Sequence, residues 1–136
     1  MFAVIGQQIN SKLASSSEFI SANGSNKVFP VIMSQTASYP ATTYRIEDVD
    51  NFISKGSSLE SCNVTIRISC LAETYITTYN QSKAVVEALD LYKVVYVEDA
   101  QSYTAKFNFS SLTDEYHETA EVYYKDIIFN CLIIKN

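Results

Sequence analysis

The stretch IIFNCLII, residues 127–134, decides the fold that the sequence predicts. It is apolar at both odd and even positions, whereas a strand with one face in water alternates apolar and polar residues. We therefore expect a strand whose two faces are both covered. Helices can cover one face of its sheet. A second sheet layer or another subunit must cover the other, and the short chain of 136 residues favours a subunit.

The rest of the chain predicts two helices and five further strands. Residues 2–15 read as an amphipathic helix because Phe2, Ile5, Ile9 and Leu13 follow helical spacing, and the Ser15–Ser17 run should end it. A second helix is expected at residues 78–89, with Thr78 and Gln81 as a capping box and with Tyr79, Ser82, Val86 and Leu89 on one stripe. The strands are expected at residues 27–33, 41–47, 64–70, 91–97, 103–109 and 119–134.

These elements predict one α+β domain over residues 1–136. The expected sheet is mainly antiparallel, with two helices packed on one face, in the order α-β-β-β-α-β-β-β. Two prolines bear on it, because proline cannot donate to a sheet ladder: Pro30 should mark an edge or an irregular strand, and Pro40 a strand start, an edge or a bulge. The polar segment DVDNFISKGSSLES, residues 48–61, is expected to be a long loop.

Composition argues against several classes of function. The net charge is −5 and the ten basic residues are scattered, which disfavours binding to nucleic acid. The N-terminus lacks the basic region of a signal peptide, and no apolar run approaches the ~18 residues that span a bilayer. Three cysteines leave an odd thiol and indicate a reducing compartment.

Catalytic and cofactor signatures are not found in the sequence. The single histidine, His117, lies in the acidic segment TDEYHETAE, which is more typical of a solvated turn than of a general base or metal site. Motifs for phosphate loops, nucleophile elbows and zinc proteases do not occur. We therefore expect a protein that is not an enzyme and that uses no cofactor, metal or catalytic residue.

The ordered features resemble the tail terminator, or tail completion, proteins of long-tailed bacteriophages. The resemblance covers nearly the whole chain and rests on the N-terminal helix, KVFPVIM, YPATTYRI, the long loop, the strand NVTIRISCLAETY, the helix SKAVVEALD and a terminal hairpin. It implies a structural virion protein that forms a ring, usually a hexamer, at the head-proximal end of the tail tube. Such a ring stops tube growth and joins the tail to the head.

The resemblance also implies partners and contact residues. The partners would be further copies of the chain, the tail tube protein and the head-tail connector or stopper, with DNA passing through the channel unbound and no membrane involved. The protein would be assembled in the host cytoplasm and reside in the virion tail or neck. The residues expected at subunit or ring interfaces are Tyr44, Arg45, Asp48, Asp50, Phe52, Ile53, Lys55, Leu59 and Arg67. Alternatives are another neck or tail-tube ring subunit, or a small-molecule-binding α+β domain with a tyrosine-lined pocket and His117.

Overall fold

The computed structural model describes residues 4–32, 38–52 and 61–136. Within these residues the helices are α1 (Ile5–Ala14), α2 (Ser17–Asn23) and α3 (Tyr75–Leu89). The strands are β1 (Val28–Pro30), β2 (Ala41–Phe52), β3 (Ser61–Ala72), β4 (Lys93–Glu98), β5 (Gln101–His117) and β6 (Val122–Lys135). None of these helices is long and apolar enough to cross a membrane.

The six strands form one sheet in the order β1-β2-β3-β6-β5-β4. β1 runs parallel to β2, and the other four pairs are antiparallel. β3 and β6 lie at the centre, while β1 and β4 form the two edges. Pro30 ends the edge strand β1, as predicted, because there its missing N–H breaks no ladder. Pro40 directly precedes β2, which is an inner strand.

The predicted fold class is wrong. Strand residues make up 53% of the structure, and the sheet is mixed and curled, with three helices rather than two. The missed helix is α2, which begins where α1 ends. Ser16 is its N-cap and accepts a hydrogen bond from the Phe19 N–H, and Gly24, with a φ of 78°, ends it in the left-handed region. The Ser15–Ser17 run therefore ends one helix and begins another.

The predicted start of α3 is also wrong. Its N-cap is Thr74, whose hydroxyl accepts from the Thr77 N–H, and the helix ends at Leu89 as expected, with Asp90 as its C-cap. Thr78 and Gln81 are fully buried inside the helix instead of capping it, while Tyr79 is exposed. The buried stripe of α3 is thus rotated from the predicted one.

All three helices pack on one face of the sheet. The sheet's contribution to this core comes from alternate residues of β3 and β6, such as Ile66, Ile68, Ile127 and Phe129, which are fully buried. From the helix side, Ile9 of α1 and other apolar residues meet them. Burial of such a side chain contributes about 1.5–3 kcal/mol, so this single interface accounts for most of the apolar stabilisation of the fold.

A buried group of polar residues ties the helices to β2. Asn23 at the end of α2 accepts hydrogen bonds from the Thr42 hydroxyl at 3.0 Å and from the Gln81 amide at 2.8 Å. The same amide of Gln81 lies 3.1 Å from the Ala41 carbonyl oxygen. The three side chains are fully buried, so these bonds fix α2, α3 and the start of β2 relative to one another.

Strand β2 extends into the segment that was predicted to be a loop. Residues 48–52 belong to β2 and Ser61 begins β3, whereas residues 53–60 lie outside the described part of the chain. A β-bulge at Glu47 separates the pairs Ile46–Ile66 and Asp48–Thr65. Because one residue is inserted, Val49 returns to the helix-covered side while Asp48 and Asp50 point away from it. The acidic residues are therefore compatible with a strand.

Candidate functional site: the open face of the sheet

The face of the sheet opposite the helices is here called the open face. No helix in the described ranges packs on it, since the helix contacts involve the buried residues of the other side. Its members alternate with the core residues along each strand. They include Thr43, Arg45, Asp48 and Asp50 on β2, Asn63, Thr65, Arg67, Ser69 and Leu71 on β3, Tyr124, Asp126, Ile128, Asn130, Leu132 and Ile134 on β6, Thr104, Lys106, Asn108, Ser111, Thr113 and Glu115 on β5, and Lys93, Val95 and Val97 on β4.

The open face carries apolar residues that water reaches. On β6, Ile128 and Leu132 are half-buried and Ile134 is 45% exposed. On the edge strand β4, Val95 and Val97 are 63% and 65% exposed. The sequence predicted that both faces of residues 127–134 are covered. Within the described residues, the helices cover one face, and the open face remains accessible to water.

Arg67 lies at the centre of an ionic cluster on this face. Its Nη1 donates to Asp126 Oδ2 at 2.9 Å, and its Nε lies 2.6 Å from Glu47 Oε1. The Ser69 hydroxyl donates to the other oxygen of Asp126 at 2.6 Å, and Arg45 Nε lies 3.5 Å from Glu47. Asp126 is only 7% exposed, so its charge depends on these partners.

The cluster keeps Arg67 charged. Burial lowers the pKa of Arg67, but the negative charges of Asp126 and Glu47 more than offset this, so its pKa is raised above the ordinary value. Since two guanidinium groups meet two carboxylates, the cluster has no excess charge with which to attract an ionic ligand. Its geometry is that of a structural ion network.

A cavity of about 410 Å³ opens beside this cluster. Several of its polar groups are engaged within the chain. His117 Nδ1 accepts a hydrogen bond from the Ala120 N–H at 3.1 Å, which closes the β5–β6 turn, and the Tyr124 hydroxyl donates to Glu115. The cavity is lined by Val31, Ile32, Tyr39, Thr43, Arg45, Arg67, Ser69, Leu71, His117, Ala120, Val122, Tyr124 and Asp126. His117 is the last residue of β5, and its side chain is hydrogen-bonded to the turn that follows.

The β5–β6 hairpin extends beyond the helices, and residues 110–121 are exposed. At its base, Lys125 is nearly buried and donates to Asp114 and, at 3.2 Å, to the Tyr75 hydroxyl. Tyr75 donates in turn to Asp114 at 2.9 Å. Tyr116 stacks on Tyr123 with ring centroids 4.7 Å apart. These contacts fix the hairpin against the start of α3.

The predicted interface residues separate into three groups. Arg45, Asp48, Asp50 and Arg67 share the open face. Tyr44 instead points to the helix side, where a β-carbon built on Gly6 would lie 2.6 Å from its ring. Phe52 ends β2, and Ile53, Lys55 and Leu59 lie outside the described residues.

Sequence reasoning missed three members of the ionic cluster: Glu47, Ser69 and Asp126. The strand predicted at residues 64–70 does contain Arg67 and Ser69, whose side chains share one face. Asp126, however, follows YYK and precedes an apolar run, so nothing nearby in the sequence indicates that it pairs with Arg67, which lies 59 positions earlier.

The described ranges give little support for a metal site or for a reactive cysteine. They contain no group of three or more histidine, cysteine, aspartate or glutamate side chains placed to hold a metal ion. The side chains of Cys62, Cys70 and Cys131 are buried. Burial raises the pKa of Cys70 and of Cys131 to about 12, so both thiols are protonated and poorly nucleophilic at neutral pH.

Comparison with known proteins gives a structural match. No protein-family model matches the chain, and no curated protein matches it. Among solved structures, a chain from "Virion of native gene transfer agent (GTA) particle" superposes with a TM-score of 0.78 at 17% sequence identity. The alignment covers 100% of this chain and 100% of that chain. At this level of identity, the match shows that the two chains share a fold.

Proposed function

We propose that this chain is a structural component of a phage-like virion. The observation that carries the proposal is the match over the full length of both chains to a component of a gene transfer agent particle. Because the match covers both chains completely, the similarity extends to the whole fold and is not limited to a common submotif. A fold can serve several functions, so the candidate site must also support a structural role.

The open face supports a role in assembly. It exposes Val95, Val97 and Ile134 beside charged residues, which is the composition of a surface that another protein covers. The ionic cluster around Arg67 is internally neutralised, and His117 is engaged in its turn, so the cavity beside them offers few free groups for catalysis. We therefore favour a non-enzymatic subunit over a small-molecule-binding domain.

Within the virion, the sequence resemblance favours one position. The chain would form a ring, usually of six copies in the family it resembles, that caps the head-proximal end of the tail tube. This ring would stop tube growth and contact the head-tail connector. The net charge of −5 suits a channel through which DNA slides, since like charges repel.

Electron microscopy of reconstituted tails tests this proposal. Purified protein is mixed with tail tubes of the same particle and imaged in negative stain, alongside the protein alone and the tubes alone. We expect an additional ring at one end of each tube. Rings along the tube or at its distal end would favour a different ring subunit, and tubes without any added density would contradict a tail position altogether.

A further inference from the structure

One row of side chains crosses the open face from Lys93 to Asp50. Strand register places Lys93 opposite Lys106, Lys106 opposite Leu132, Leu132 opposite Asn63, and Asn63 opposite Asp50. At a strand spacing of about 4.8 Å, the two ends of this row lie about 19 Å apart along the sheet. The row thus begins in two lysines and ends in an aspartate.

The charges of opposite sign are held on opposite sides of the sheet. Lys93 and Lys106 are exposed on β4 and β5, and Asp48 and Asp50 are exposed on β2. The Debye length at physiological salt is about 8 Å, so the two sides cannot neutralise each other within one subunit. The nearby Arg45 does not cancel the aspartates, since its ion pair is with Glu47.

The lysine pair is unfavourable in the isolated subunit. Lys93 and Lys106 are direct cross-strand partners, and like charges in that position destabilise a sheet. Among the described residues, no carboxylate lies within salt-bridge distance of either lysine. This contrasts with Arg45 and Arg67, which are also opposite each other but have Glu47 and Asp126 as partners. Both lysines can therefore form ion pairs with carboxylates of another molecule.

The lysine side and the aspartate side both lie near an edge of the sheet. β4 is the last strand of the sheet. On the other side, the described part of β1 pairs only with Thr42–Tyr44, which leaves the outer edge of the following half of β2 without a described partner. That half carries Asp48 and Asp50, while β4 carries Lys93 together with the exposed Val95 and Val97.

We infer that copies of this chain associate head to tail, with the Lys93–Lys106 side of one copy against the Asp48–Asp50 side of the next. Contact between two β4 edges would oppose lysine to lysine, and contact between two β2 edges would oppose aspartate to aspartate. The mixed contact is the attractive one. It joins two different patches, so repeating it closes a ring when the angle permits. The inference rests on the proposed ring function and adds which surfaces meet.

Charge reversal on each side tests the inference. One variant carries Lys93→Glu and Lys106→Glu, and a second carries Asp48→Lys and Asp50→Lys. Each should repel itself, but an equimolar mixture should associate, because every contact between unlike variants again pairs opposite charges. A control with Lys83→Glu and Lys135→Glu makes the same change in net charge as the first variant, at exposed positions outside both patches. Circular dichroism and urea unfolding check that all variants are folded.

The readout is the mass of the full chain in solution at high micromolar concentration and low ionic strength. Sedimentation velocity should show oligomers for the wild type, for the control and for the mixture. Each reversed variant alone should show a dissociation constant at least about tenfold higher. The wild-type oligomer should weaken at about 1 M salt, where the Debye length falls to about 3 Å.

Three results would overturn the inference: a monomeric wild type under these conditions, reversed variants that associate as the wild type does, or a mixture that fails to associate. Each is distinguishable from failure of the proposed function. Rings at tube ends formed equally well by both reversed variants would leave the virion role intact and reject this contact alone.

Discussion

Arg45 lies directly opposite Arg67 on the paired strands β2 and β3, so two guanidinium groups face each other on the open side of the sheet. The bulge at Glu47 brings a carboxylate to both of them, and Asp126 provides a second carboxylate to Arg67. An irregularity in one strand thereby converts a repulsive pair into a neutral cluster. The cluster fixes the centre of the open face, and the charges of Lys93, Lys106, Asp48 and Asp50 lie at its two sides.

Replacing Arg67 should destabilise the fold. In Arg67→Leu, the nearly buried Asp126 keeps Ser69 but loses its counter-ion, and we expect the free energy of unfolding to fall by about 2–3 kcal/mol. Urea denaturation measures the change. Arg45→Leu is a matched control and should cost about 0.5 kcal/mol, because Arg45 is mostly exposed and its ion pair is longer. Equal effects of the two substitutions would refute a central role for Arg67.

Replacing Lys106 should stabilise the isolated subunit. Lys106→Glu turns a repulsive cross-strand pair with Lys93 into an attractive one and should raise the free energy of unfolding by about 0.2–1 kcal/mol. The measurement is chemical denaturation at low protein concentration. Lys106→Gln should give a smaller gain, and high salt should reduce both. A loss of stability in Lys106→Glu would show that the lysine pair has a favourable partner within the subunit.

Gly6 is required by the close approach of Tyr44 to α1. In Gly6→Ala, the added methyl group would lie 2.6 Å from the Tyr44 ring, so we expect a loss of about 1–3 kcal/mol despite the better helix propensity of alanine. Thermal and urea unfolding provide the comparison. Ser11→Ala, at an exposed position of α1, should be neutral or slightly stabilising. If Tyr44→Leu does not reduce the cost of Gly6→Ala, the clash is not its cause.

The Asp114–Lys125 pair should give the hairpin base a pH-dependent stability. The hydrogen bond from Lys125 lowers the pKa of Asp114 below its ordinary value of 3.8, so its contribution is complete above that pH and is lost as the pH falls through the lowered pKa. Burial lowers the pKa of Lys125, but hydrogen bonds to Asp114 and Tyr75 more than offset this and raise it above 10.5. That contribution is complete below pH 10.5 and is lost as the pH rises through the raised pKa.

Asp114→Asn isolates this contribution. At neutral pH the variant should be less stable by about 1 kcal/mol, at the low end for a charged hydrogen bond because Asp114 is half-exposed. The difference from wild type should shrink as the pH falls below 3.8 and through the lowered pKa of Asp114, at which the folded wild-type carboxylate loses its charge. Unfolding curves across this range measure it. A constant difference between the two proteins at all pH values would contradict the account.

Patterns of buried residues allowed parts of the fold to be predicted. The strand predicted at residues 64–70 and the apolar run that ends at Ile134 correctly indicated β3 and β6. The errors came from features that leave a weak local pattern. α2 has seven residues, too few for a clear apolar stripe, although Ser16 and Gly24 are suitable caps. The bulge at Glu47 shifts the alternation of β2 by one residue, which made Asp48–Phe52 look like a loop.

The candidate site was predicted less completely than the fold. Arg45, Asp48, Asp50 and Arg67 lie on one face of the sheet, whereas Tyr44 of the same predicted group points to the other. Their partners come from distant positions, because Asp126 reaches Arg67 through β3–β6 pairing. Charge separation across the face, from Lys93 to Asp50, depends on strand order, and strand order is set by tertiary packing rather than by local sequence.

The length of tails made without this protein tests the central claim most directly. Particles are produced from cells in which the gene is deleted, and tail lengths and head attachment are scored in electron micrographs, with the gene restored in trans as the control. We expect tubes of irregular, excessive length that carry no heads, and normal tails on complementation. Tails of normal length joined to heads in the deletion strain would contradict it.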